Sequence, residues 1–237
     1  MAQAPDTWQV LPSGPIERLE DNLWRVEGEL ERGPIRRVMT VARMDDGRLV
    51  IHNGIALPEP GMAQLETFGT PAFLVVPNGY HRLDAARYKA RYPDLTVLCP
   101  VGSRKRVAKL VAVDGDYDDF AQQPEVRLEH LEGTGDGEGA MIVRSASGAT
   151  IVLNDIVFNM PHRSGLGGLA LRYLTASTGG PKISRIARMF FVKDAAALRD
   201  HLQRLAKTPD LKRLIVSHHE TLETGAAQAL EEVAASL

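Results

Sequence analysis

Residues 73–93 read FLVVPNGYHRLDAARYKARYP, and the fold turns on how this stretch is parsed. Phe73 to Val76 form a continuous apolar run of the kind carried by a buried strand, and Pro77 ends it. A loop follows, and Leu83, Ala86 and Tyr88 recur at roughly helical spacing until Pro93 stops the pattern. His81 and Asp84 therefore lie where a strand gives way to a loop that opens into a helix. Such a corner is either a metal-binding site or what is left of one.

Upstream, NLWRVEGEL, IRRVMTVARM and GRLVIHNGIAL are short β-branched or apolar segments, with Asp46-Gly47 as a hairpin signal between the last two. GMAQLETFG (61–69) reads as a short helix and LTVLCP (95–100) as a strand; SRKRVAKLVA (103–112) reads as a helix with Ser103 available as N-cap. The second half repeats the order of elements without repeating residues. EVRLEHLEG, GAMIVRSA and ATIVLND are strands, followed by helical ISRIARMF and DAAALRDHLQRLAK, the strand LKRLIVSH and a terminal helix. Strands then helices, twice over, argue for two sheets packed face to face with helices outside. The loop between Met160 and Ile183 carries an apolar patch between glycines, readable as a short helix, a lid or a partner surface.

The chain has 237 residues, 44% of them hydrophobic and 24% charged, which suits one compact domain over 15–237 behind a short mobile leader, 1–14. A formal net charge of −2 gives no global argument for nucleic acid. Cys99 is the single cysteine, so an intrachain disulfide and a multi-cysteine zinc site are both excluded. Without a targeting segment or a run of membrane-spanning length, the cytoplasm is the simplest compartment. The expected partner is a small-molecule ligand or substrate, with neither nucleic acid nor membrane, and with a homodimer as the assembly if Leu166, Leu169 and Leu171 pair subunits.

The succession DNLWRVEGE, DDGRLVIHNG, FLVVPNGYHRLD, TIVLNDIVFN and RLIVSHHE resembles the metallo-β-lactamase fold superfamily over nearly the whole chain. The resemblance implies a four-layer αββα sandwich, two mixed sheets with helices on both outer faces, whose edge loops hold one or two metal ions, usually zinc. It also implies descent from hydrolases. The superfamily's His-x-His-x-Asp-His run would fall on Asn78, Tyr80, Arg82 and Leu83, with His81 one place out of step. Thr134 stands where a second histidine motif belongs, and His52 replaces a structural aspartate of many relatives. Asp155, after a buried strand, matches the bridging carboxylate, and His218 matches the final histidine. The chain thus resembles a branch with a degenerate metal-binding motif.

His81, Asp155 and His218 are accordingly the candidate catalytic and metal-ligating residues, just reaching the three protein ligands of a catalytic zinc site. The cofactor is then either none or one zinc ion. Each residue also has a plainer reading: Asp155 capping a turn, His218 bonded to a nearby carbonyl, His81 bonded directly to Asp155. His219 and Glu220 read as capping the last helix or facing solvent, and His201 as a solvated helix position. Two functions stay open. One is a hydrolase-like protein with a depleted site binding at most one metal; the other is a non-catalytic, metal-free protein that binds a small ligand or a partner in the same cleft.

Overall fold

Hairpin chemistry sets the first sheet. Gly47, at φ +83°, takes the left-handed conformation that an Asp-Gly turn demands, and it joins two of the strands that follow. The computed structural model describes residues 7–31, 33, 35–162 and 164–237, without the side chains of Leu166 and Ala170. Strands β1 (Glu17–Glu20), β2 (Leu23–Glu29), β3 (Arg36–Arg43) and β4 (Arg48–His52) pair antiparallel in sequence order. Helix α1 (Glu59–Phe68) then carries the chain to β5 (Thr70–Val75), and α2 (Ala85–Arg91) carries it to β6 (Thr96–Leu98), both strands joining in parallel. Helix α3 (Arg104–Val107) is a single turn. The helix expected over 103–112 is thus much shorter, and the Ser103 side chain accepts no capping bond; its Oγ donates to the carbonyl of Gly137 at 2.9 Å.

The second half supplies β7 (Val126–His130), β8 (Gly139–Ser145), β9 (Gly148–Leu153), β10 (Phe158–Met160), α4 (Gly165–Tyr173), β11 (Gly180–Lys182), α5 (Arg185–Phe191), α6 (Ala195–Ala206), β12 (Leu211–Val216) and α7 (Ala226–Ala235). Ser184 caps α5 and Asp194 caps α6 by accepting backbone N–H bonds of their first turns. The sheets run β1-β2-β3-β4-β5-β6 and β12-β9-β8-β7, with β10 and β11 as a separate pair. Both large sheets are mixed, since β12 joins β9 in parallel while β7, β8 and β9 are antiparallel.

Three apolar clusters define the layers. Leu23, Val38, Val50 and Val75 of the first sheet meet Met141, Val143, Val152 and Ile215 of the second, forming the inter-sheet core. Met62, Leu65 and Tyr88 of α1 and α2 cover the outer face of the first sheet; Leu198, Leu202, Leu230 and Val233 of α6 and α7 cover that of the second. Each fully buried leucine, valine or isoleucine stabilises the packing by about 1.5–3 kcal/mol. The result is the expected αββα sandwich.

Residues 1–6 lie outside the described residues, but 7–14 are not a free leader. The Trp8 indole donates to the Leu57 carbonyl at 2.8 Å and its ring lies 5.3 Å from that of Tyr88, while Gly14 N–H bonds the Glu27 carbonyl. An indole buries enough apolar area to hold such a segment down. No helix among the described residues is long and apolar enough to cross a membrane.

Candidate functional site

The two parallel pairings decide what can meet at one edge of the sandwich. In the second sheet Leu153 of β9 is level with Val216 of β12, so Asp155 and His218, each two residues beyond, leave the sheet side by side. In the first sheet His52 of β4 is level with Val75 of β5, which places Asn53 beside the loop that carries Asn78 and His81. The sheets are joined here by Val38 N–H, which donates to the Ser217 carbonyl at 2.9 Å, while Asn53 Nδ2 donates to the Val38 carbonyl at 2.8 Å within the first sheet.

His81 reaches the site through a turn. Asn78 Oδ1 accepts the backbone N–H groups of Tyr80 and His81 at 2.7 and 3.0 Å, an Asx-type turn that curls the chain and cancels the one-residue offset an extended backbone would have. The same carboxamide donates from Nδ2 to Asp155 Oδ2 at 2.7 Å and to Glu138 Oε1 at 2.5 Å. Asn78 therefore shapes the loop and fixes the carboxylate that the loop's histidine meets.

His81 Nε2 and His218 Nε2 each lie 2.9 Å from the same atom, Asp155 Oδ1. Their other nitrogens face acceptors. His218 Nδ1 is 2.7 Å from the Arg36 carbonyl, and His81 Nδ1 is 3.1 Å from Asn53 Oδ1, whose amide nitrogen is already committed to Val38. Each Nδ1 thus carries the proton in the neutral ring. Without an ion, the contacts to the ionised Asp155 are hydrogen bonds only where Nε2 carries a proton; a ring that gives that proton up turns its Nε2 lone pair toward the same point, and the two Nε2 atoms and the carboxylate oxygen lie within 4.8 Å of one another. Outer partners that fix the tautomer in this way are what metal-ligating histidines usually have.

Electrostatics agrees with the clustering. Burial alone would raise the Asp155 carboxyl, but the His81 charge and the bonds from His218 and His81 outweigh it and hold the group well below the usual carboxylate range. Burial would likewise lower His218, and the bond and charge of Asp155 raise it instead. Glu138, fully buried, is pushed well up by its burial and then by the Asp155 charge, which favours its neutral form.

A cavity of about 480 Å³ opens over the three residues. Its wall is largely apolar, with Leu30, Ile35, Leu83, Phe158, Met160 and Phe190 prominent. Arg37 also lines it, paired at 2.6 Å with Asp84 and with no hydrogen-bond partner at Nε among the described residues. A larger groove of about 1020 Å³ lies at the opposite end of β3, around Arg18, Asn22 and Arg43. It has volume without convergent chemistry, so the smaller cavity is the candidate site.

No family model matches the sequence, and no curated protein matches it. Solved structures do match. The FIM-1 metallo-β-lactamase from Pseudomonas aeruginosa, in its mono-zinc form, aligns with a TM-score of 0.63 at 10% identity, over 98% of each chain. A metallo-β-lactamase from Erythrobacter litoralis with β-mercaptoethanol in its active site gives 0.63 at 14% identity, over 97% of this chain and 100% of that one. The DIM-1 metallo-β-lactamase exposed to ceftazidime gives 0.62 at 11% identity, over 96% and 99%. The chain has the metallo-β-lactamase fold.

Within that fold, several residues sit differently from the sequence reading. Asp84 is outside the site, buried between Arg37 and Arg87 and accepting the Ala56 N–H. Thr134 donates to the Leu131 carbonyl at 2.6 Å, and Gly133 packs on α6; the group this loop delivers next to Asp155 is Glu138. His52, by contrast, is the core position its apolar strand implies, wholly buried with neither ring nitrogen bonded among the described residues, and burial, then the His81 charge, push it down to about 3. His201 is buried, its Nε2 3.0 Å from Glu129 and its Nδ1 accepting the Glu132 N–H. His219 is also buried, and α7 starts only at Ala226. Sequence reasoning missed Asn53, Glu138 and Arg37. Asn53 carried one weak signal, an Asn-Gly pair after a strand, and the other two carried none.

Proposed function

We propose that this is a hydrolase-like protein of metallo-β-lactamase fold that binds one metal ion through His81, Asp155 and His218. Its substrate would be a small ester- or amide-class molecule with a bulky apolar body. One observation carries the reading: both Nδ1 atoms rest on acceptors while both Nε2 atoms converge on Asp155 Oδ1. Three donors suffice for one ion with an open position and are too few for two. A zinc ion held there would supply Lewis acidity, making a water more acidic and a carbonyl more electrophilic. The chain's own groups would do the rest: the Arg36 carbonyl and Asn53 set the imidazole tautomers, Asn78 aims the carboxylate, and the apolar wall orients the substrate and excludes bulk water.

A metal-free general-base mechanism fits less well. His218 spends Nδ1 on a backbone carbonyl and Nε2 on Asp155, so no nitrogen lone pair is free to take a substrate proton. The second reading is therefore non-catalytic binding of a small apolar ligand in the same cavity, favoured by the hydrogen bonds that already satisfy all three residues. Elemental analysis after zinc loading separates the two. The metal reading expects about one equivalent in the wild type, a near-complete loss in Asp155→Ala and His218→Ala, and no loss in His162→Ala, whose exposed ring bonds Thr178. Occupancy below about a tenth of an equivalent in the wild type would leave the binding reading.

A further inference from the structure

The segment between Asp155 and Asp194 contains no acidic residue. Residues 156–193 hold six basic ones, Arg163, Arg172, Lys182, Arg185, Arg188 and Lys193, while the rest of the chain has 22 basic against 30 acidic. The near-neutral total thus hides one strongly cationic stretch on a chain that is otherwise acidic. Among the described residues no carboxylate pairs with Arg172, Lys182, Arg185 or Arg188. The polar contacts of Arg185 and Arg188 go to backbone carbonyls of Tyr173, Leu174 and Ser236.

The same segment exposes its apolar side chains. On α5, Ile186, Met189 and Phe190 are 49, 67 and 53% exposed and share one face by their i, i+3, i+4 spacing, while Ala187 points into the core. Tyr173 and Leu174 at the end of α4 are 60 and 71% exposed, with Leu169 one turn earlier at 51%. Tyr80 extends the patch, its ring edge-on to Phe191 at 5.8 Å and covered by the Arg106 guanidinium. The usual rule for a surface helix is inverted here: the bulky apolar residues face outward beside arginines. Ile186 and Phe190 also line the cavity above His81, Asp155 and His218, so the exposed face is continuous with the cavity mouth.

Leucine, isoleucine, phenylalanine and tyrosine flanked by arginines that no described carboxylate neutralises are what an element lying in a lipid interface presents: apolar groups for the acyl boundary and cations for the headgroups. We infer that the α4–α5 face docks on an anionic phospholipid surface, with the cavity mouth toward the lipid. This goes beyond the metal-site reading and does not depend on it. It departs from the expectation of no membrane partner, which followed from the whole-chain charge and from the absence of a spanning run, neither of which reports a local face. The patch does not need to span the bilayer to bind it.

The test is co-sedimentation of the full chain with phosphatidylcholine vesicles made with and without phosphatidylserine, at low and high salt. Binding is expected only with phosphatidylserine and is expected to be released by salt. Arg185→Glu and Arg188→Glu should each weaken it roughly fivefold or more, whereas Lys207→Glu, the same charge change at the far end of α6, should not. Met189→Ser with Phe190→Ser should weaken it on the order of tenfold with the chain still folded, because both side chains are more than half exposed. Three results would overturn the inference: no binding to phosphatidylserine vesicles at low salt; binding indifferent to the Met189 and Phe190 changes, as a mere polyanion surface would show; or self-association abolished by those changes without vesicle binding, which would make a second copy the occupant. Zinc content measured on the same samples reports the metal site separately, so failure of either reading leaves the other standing.

Discussion

Asn78→Ala is the most informative single perturbation, because this side chain, 1% exposed, makes four hydrogen bonds at once. Two go to acidic side chains and two come from backbone N–H groups. A bond to a charged group contributes about 1.5–3 kcal/mol and a neutral one about 0.5–1.5, and water can re-satisfy only part of the set in a buried place. A loss of about 3–5 kcal/mol of stability is therefore expected. For a chain of this size that is a fall in melting temperature of roughly 10 °C, since each kcal/mol moves it by about 2–4 °C. The variant should also bind zinc more weakly, by about 10–100-fold, because the turn that aims His81 and the bond that aims Asp155 are lost together. Urea unfolding followed by circular dichroism gives the first quantity, and competition with a chromophoric chelator gives the second. A variant that lost under about 1 kcal/mol and kept wild-type zinc affinity would refute the role given to Asn78.

Two other outcomes follow from the buried ionisable groups. Asp84→Ala strands Arg37 and Arg87 without their shared carboxylate and should cost about 3–5 kcal/mol in urea unfolding, with zinc stoichiometry unchanged because Asp84 is no part of the site. His52, at about 3 in the folded chain against an ordinary 6.5, makes stability depend on pH. The unfolded chain takes up its proton first as pH falls, so stability is whole above about 6.5 and declines from there toward pH 3. His52→Leu should remove about 3 kcal/mol of the loss between pH 7 and pH 4, read from urea midpoints at the two values, and an unchanged pH slope would count against this.

Much of the sandwich was legible because burial is written in local pattern. The apolar run at Phe73–Val76 and the Asp46-Gly47 turn each specify structure within a few residues. Asp155 and His218 were legible for a related reason, since each follows a recognisable strand by two residues and parallel pairing brings such positions together. The rest depends on contacts that no local pattern encodes. His81 looked misaligned because its position is set by a side-chain turn at Asn78, and Glu138 looked like a loop residue because its burial comes from β9 and the β5 loop closing over it. His201 looked solvated because its helix face is defined by Glu129 and Glu132 on the far side of a sheet edge. The α4–α5 face was legible in part, as the apolar patch between Met160 and Ile183, but the lack of any acidic residue across 156–193 shows only over a long window.

Anomalous diffraction at the zinc edge from zinc-loaded crystals tests the central claim most directly. The account expects one peak, within about 2.0–2.2 Å of His81 Nε2, His218 Nε2 and a carboxylate oxygen of Asp155, each histidine keeping its Nδ1 on Asn53 or on the Arg36 carbonyl. No peak there, or a peak on the Asp116, Asp118 and His130 group instead, would contradict it.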